Sequence, residues 1–140
     1  MVSVPVVAFA CVFGAVSAIA EELGPEQAKA FVAGKLFAYT CFDGTVGTAR
    51  ILSDGSVIGT IRPEARGDAR FITLPPGTIK VNSTAVCAHF NGSLIEPCFT
   101  VQKIDHRSFR GSVAGLGFAY CDFSQLNPRA EIIGRPRVRN

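Results

Sequence analysis

The sequence predicts an all-β fold, a small antiparallel barrel or sandwich of about eight short strands, with a short N-terminal helix and two disulfides. Three observations predict it. Short apolar runs with two-residue alternation recur along the chain. Turn residues separate them, with fourteen glycines among 140 residues and no tryptophan. Four cysteines, Cys41, Cys87, Cys98 and Cys121, follow an apolar leader, the pattern of a small exported domain stapled by disulfides. The length suits one domain, and 48% hydrophobic against 18% charged residues supplies enough apolar side chain to fold.

Residues 1–20 carry no charged side chain, are apolar from Val4 to Val16, and end in the small-x-small triplet Ala18-Ile19-Ala20 before Glu21-Glu22. They read as a secretory signal removed after Ala20. Cleavage removes Cys11 and leaves an even number of cysteines. Residues 21–34 read as a short helix, with Pro25 in the first turn, Glu26 at the positive end of the dipole and Gly34 at the stop. Ala28, Phe31 and Val32 then share the face that covers the mouth or edge of a sheet.

The β domain is expected over residues 35–123. Lys35–Phe42 alternates, with Phe37, Tyr39 and Cys41 on one face. Val46–Leu52 and Val57–Arg62 flank the turn Ser53-Asp54-Gly55-Ser56. Ala69–Leu74 ends at Pro75-Pro76-Gly77. Thr78–Phe90 carries a break near Asn82-Ser83, and Leu94–Ile104 returns from it. Asp105-His106-Arg107 turns into Ser108–Val113, and Gly117–Phe123 closes the set. Gly47, Gly59 and Gly111 inside strand patterns read as bulges at barrel corners.

Val86–Phe99 reads as a hairpin closed by a disulfide. Two registers compete. An Asn91-Gly92 type I′ turn sets Cys87 opposite Glu96 and Pro97 at a hydrogen-bonded position. A Gly92-Ser93 type II′ turn, the preferred reading, sets Cys87 opposite Cys98 and His89 opposite Glu96, and places Pro97 away from the hydrogen-bonded positions. Four cysteines allow three connectivities. The expected one is Cys87–Cys98 with Cys41–Cys121, because Tyr39-Thr40-Cys41 and Tyr120-Cys121 become neighbours if the sheet closes. Residues 124–140 read as a basic flexible tail. Arg129, Arg135, Arg137 and Arg139 against Glu131 account for the whole net charge of +3, and are candidates for binding an anionic surface.

Catalytic signals are thin. Asp105, His106 and Ser108 lie too close in sequence for a triad, whose members converge from separate elements. His89 pairs across the hairpin. Oxidised cysteines are not nucleophiles, and no zinc spacing is present. Asp43, Asp54, Asp68 and Asp122 sit beside turns, where aspartate is ordinary. Of the aromatic residues most are expected in the core, with a ligand cavity as the alternative. No enzyme activity, metal or cofactor is expected. Nucleic acid is a poor partner for an exported protein with a neutral body, and no transmembrane segment is expected in the mature form.

Phe37-Ala38-Tyr39-Thr40-Cys41-Phe42-Asp43-Gly44-Thr45, Val86-Cys87, Glu96-Pro97-Cys98-Phe99, Ser108–Val113 and Phe118–Phe123 resemble small exported alphaproteobacterial proteins of unknown function. The resemblance implies export and no known activity. Tyr39-Thr40-Cys41-Phe42-Asp43-Gly44 is also similar to the early Tyr-x-Cys-x-x-Gly of the periplasmic C-type lysozyme inhibitors, small disulfide-bonded barrels. Their later Ser-Gly loop and lysine-bearing motif have no counterpart in this chain, so no binding residue carries over. The sequence thus points to a binding or structural protein of the bacterial envelope, located in the periplasm or secreted. Its alternatives are an inhibitor of a lysozyme-type hydrolase and a carrier of a small apolar ligand.

Overall fold

A computed structural model describes residues 2–12, 14 and 20–126. Arg129, Arg135, Arg137 and Arg139 lie outside the described residues. Ten strands form one antiparallel sheet that curls into a half-barrel: β1 Glu21–Leu23, β2 Leu36–Cys41, β3 Val46–Ile51, β4 Val57–Arg62, β5 Arg70–Leu74, β6 Ile79–Val81, β7 Val86–Ala88, β8 Cys98–Asp105, β9 Ser108–Val113 and β10 Leu116–Gln125. One helix, α1 (Pro25–Val32), follows β1.

Strand order is β5-β4-β3-β2-β10-β9-β8-β7-β6, with β1 on β8. The two ends of this path, β5 and β6, are consecutive in the chain across the Pro75-Pro76-Gly77 corner. The β3–β4 tip closes on that corner: the Gly77 N–H donates to the Asp54 carbonyl and the Ile79 N–H to the Gly55 carbonyl, both at 2.9 Å. Gly55 has φ +83°, a region that glycine enters without steric cost.

The helix is shorter than the sequence suggests. Glu21–Leu23 is extended and pairs with Lys103–Val101, because Pro25 fixes the helix start and disfavours helix in the residue before it. The sheet also runs past residue 123, with Ser124 and Gln125 pairing with Ala38 and Phe37. Residues 2–12 face solvent, with Val2, Phe9 and Val12 each at least 90% exposed.

Inward side chains follow the alternation read from β2. Phe37 is 2% exposed and meets Phe109 edge-on at 5.1 Å. Phe109 stacks on Phe123 at 4.5 Å, and Tyr39 leans on Phe123. Ala28 and Val32 of α1 complete this cluster. Gly47 is not a bulge. A Cβ there would lie 2.6 Å from the Tyr39 hydroxyl, which donates to the Thr60 carbonyl at 2.8 Å. Gly111 is not a bulge either, and a Cβ there would make only ordinary contacts with Phe123 and Phe109. The register shifts fall elsewhere, between Leu116 and Tyr120 and between Lys103 and Asp105.

Both expected disulfides form, Cys41–Cys121 and Cys87–Cys98, each between directly opposed residues. The ladder phase of the hairpin is the reverse of the one read from sequence. The Ala88 N–H donates to the Pro97 carbonyl at 2.8 Å, so Pro97 occupies a hydrogen-bonded position and forgoes only the reciprocal bond. Cys87 and Cys98 then sit at a non-hydrogen-bonded pair, where strands approach closest. The bond from the Phe42 N–H to the Tyr120 carbonyl puts Cys41 and Cys121 in the same phase. The turn also differs. Ser93 N–H donates to the Phe90 carbonyl and Gly92 has φ +82°, so Asn91-Gly92 is the central pair.

Loop-closure entropy ranks the two bridges. Spanning 80 residues against 11, they restrict the unfolded chain by about 4.5 and about 2.8 kcal/mol. Replacing Cys41 and Cys121 together by alanine is therefore expected to lower the urea midpoint more than the same change at Cys87 and Cys98. Equal midpoints for the two double variants would contradict this ranking.

Candidate functional site

The curl leaves its concave side partly unfilled. A cleft of about 650 Å³ opens between α1, the β3–β4 tip and strands β6 to β10. Phe99, Val101, Phe109 and Phe123 line it, together with Ile51, Ile79 and Val81. Ala28 and Val32 of α1 roof it. Charged residues reach only the rim, where Lys29, Lys80, Asp54 and Glu96 contribute. Both disulfides border this space through Cys87 and Cys121, and each ties a pair of neighbouring strands together. A second depression of about 440 Å³ lies where β1 and β7 leave a gap along the edge of β8.

Two devices hold the rim. At the β3–β4 tip, Asp54 Oδ1 accepts the Ser56 N–H at 2.9 Å and the Ser56 hydroxyl at 2.6 Å. These bonds favour the carboxylate and hold its pKa below the ordinary aspartate value. At the β7–β8 loop, His89 Nδ1 lies 2.5 Å from Glu96 Oε1. That cross-strand partnership matches the sequence reading. Beyond it the loop projects Phe90, Leu94 and Ile95 into solvent, Leu94 at 102% exposure. The Ser93 hydroxyl, donating to the Ile95 carbonyl and accepting the Ile95 N–H, braces the loop.

Other aspartates divide by position. Asp43 and Asp105 close turns by accepting the N–H of Thr45 and Arg107, and these bonds lower both pKa values. Asp105-His106-Arg107 is the turn that the sequence predicts. Asp122 is not beside a turn. It lies inside β10 opposite Arg110, which it binds through both oxygens at 2.7 and 2.9 Å. The alternation Ser108-Phe109-Arg110 against Tyr120-Cys121-Asp122 carried that signal. Burial raises the Tyr39 pKa.

The aromatic residues do not all enter the core. Phe42, Phe71, Phe90 and Phe118 are exposed, whereas Phe99, Phe109 and Phe123 line the cleft. Among the described residues no three His, Cys, Asp or Glu side chains converge as a metal site, and no helix is long and apolar enough to cross a membrane. Comparison with known proteins returns no matching family, curated protein or solved structure.

The Asp54 carboxylate ties the tip that closes on Gly77 and Ile79. Its folded-state pKa is depressed, so its contribution is complete above the unfolded value of about 3.9 and is lost as pH falls through the lower folded value. Asp54→Asn is expected to be less stable than the parent at neutral pH, and the difference is expected to vanish in strong acid. Denaturant titrations across that range measure it, and a difference independent of pH would count against the carboxylate.

Proposed function

We propose that the protein is an exported, non-enzymatic binding protein of the bacterial envelope, and that its concave cleft takes a small apolar ligand. The observation that carries this reading is the cleft itself: about 650 Å³, within the roughly 300–1,000 Å³ of ordinary ligand sites, walled by aromatic and branched side chains with charge only at the rim. A sheet that needed only to fold would fill this volume, since unfilled apolar walls forfeit dispersion contacts. The disulfides that tie neighbouring strands around the cleft support a preformed site, which lowers the ordering cost of binding. Export is supported by the oxidised cysteine pairs and by the apolar residues 2–12, which face solvent.

The probe N-phenyl-1-naphthylamine is expected to bind the parent saturably, at one per chain. Gly111→Val places a branched side chain on the cleft wall, where a Cβ meets only Phe123 at 3.6 Å and Phe109 at 4.0 Å. That variant is expected to fold and to bind the probe at least about tenfold more weakly. No fluorescence change with the parent, or equal affinity in the folded variant, would overturn the reading.

The β7–β8 loop favours a second reading, a loop that docks into a hydrolase. Its apolar tip is presented on a base fixed by Cys87–Cys98 and the His89–Glu96 contact, the rigidity that favours insertion into a partner's pocket. A lysozyme assay with micromolar protein is expected to show inhibition that Leu94→Asp abolishes. Unimpeded hydrolysis would dismiss it.

A further inference from the structure

The convex face of the sheet carries an aromatic strip that neither the core nor the cleft uses. Phe42 follows β2 and lies beside Tyr120 of β10. Phe118 stands next to it, the two rings edge to face at 6.0 Å. Phe42 is 53% exposed and Phe118 67%. The strip continues in a polar element. The Arg110 guanidinium lies 3.9 Å over the Tyr120 ring and is gripped by both Asp122 oxygens, with the two side chains 39% and 41% exposed.

We propose that this strip is a saccharide-binding platform, with a pyranose ring stacking its C–H face on one of the two perpendicular rings, Phe42 or Phe118, and packing against the other, while its hydroxyls bond to the Arg110–Asp122 pair. The chemistry of that pair favours a sugar. Arg110 spends Nε and one terminal nitrogen on Asp122, which leaves guanidinium N–H groups free, and each carboxylate oxygen keeps a free lone pair. Donors and acceptors therefore lie side by side in one plane, matching neighbouring hydroxyls that each donate and accept. The pair is neutral as a whole, so it has no call for a charged ligand. Its geometry is fixed before binding, because the bidentate contact and the ring beneath hold the guanidinium in place.

Area separates a sugar from a protein partner. At roughly 200 Å² per aromatic side chain, the exposed parts of Phe42 and Phe118 amount to about 240 Å². A stable protein interface buries about 800 Å² on each side. Two rigid rings of this extent fit a sugar unit or two. The platform faces away from the cleft, so it does not depend on the apolar-ligand reading.

The test uses the disulfide-bonded protein in amide NMR titrations with cellohexaose and chitohexaose, and in cosedimentation with peptidoglycan sacculi. Saturable shifts confined to Phe42, Arg110, Phe118, Tyr120 and Asp122 are expected with at least one oligosaccharide. Phe42→Ala with Phe118→Ala is expected to weaken binding at least about tenfold without lowering the melting temperature. Arg110→Gln, which keeps both rings, is expected to weaken it as well. The proposal is overturned by absence of shifts at millimolar sugar together with no cosedimentation. It is also overturned by shifts in the cleft alone, by binding that survives all these substitutions, or by a dimer that disappears in the double-ring variant.

Discussion

The close approach of two pairs of strands, each at a non-hydrogen-bonded position, sets the rest of this structure. Cys41 and Cys121 bring together β2 and β10, 80 residues apart, and Cys87 and Cys98 do the same for β7 and β8. The Cys41–Cys121 bridge projects to the concave side, whereas Cys87–Cys98 alternates with Val86 and Phe99 and takes the opposite face. The aromatic cluster lies on the concave side, beside the first bridge: Phe37 and Tyr39 precede Cys41 by four and two residues, and Phe123 follows Cys121 by two. Alternation makes this inevitable once one residue of each strand is fixed. The covalent pin and the aromatic packing therefore enforce one register.

That arrangement explains how so small a core suffices. Among the described residues the buried apolar ones are Ala28, Val32, Phe37, Cys87, Ala88, Val101 and Phe109, a short set for a domain of this size. Small domains that bury little compensate by restricting the unfolded chain. The bridges supply this restriction, and α1 seals one end by docking Ala28 and Val32 on Phe37 and Phe109. The helix cannot reach the other end, since eight residues span about 12 Å. The cleft that Ala28 and Val32 roof opens where the concave face extends beyond the helix.

Much of this was legible in the sequence. Strand positions, the Ser53–Ser56 turn, the β2 faces and the pairing Cys41–Cys121 follow from alternation, turn residues and the adjacency of chain ends. The elements that were misread share one cause: their identity is set by a partner distant in sequence. Glu21–Leu23 has no strand signal of its own and is extended because the edge of β8 receives it. The phase of the β7–β8 ladder cannot be read from Pro97 alone, because sacrificing one N–H costs less than moving two cysteines out of close approach. Asp122 looks like a turn residue until Arg110 is placed opposite it. Phe42 and Phe118 look like core because a ring's preference for burial does not reveal which face of a curled sheet it occupies. A ligand cavity reads from the sequence only as an alternative to a filled core, since volume depends on how far α1 reaches.

β10 places the two proposed binding surfaces back to back. Cys121 and Phe123 point into the cleft, while Tyr120 and Asp122 point out to the aromatic strip, so consecutive residues of one strand serve opposite faces. A side-chain change on one face leaves the other chemically untouched. Coupling between them can pass only through the backbone, by a change in the curl of the sheet. The Cys41–Cys121 bridge sits at the centre of that strand and resists such a change, because altering the β2–β10 separation strains the covalent link. The geometry therefore favours two sites that act additively over a site that gates its neighbour, as independent positions with no shared side chain do. A chain this short achieves two surfaces by using both sides of one sheet, and the bridge that stabilises the fold also keeps them independent.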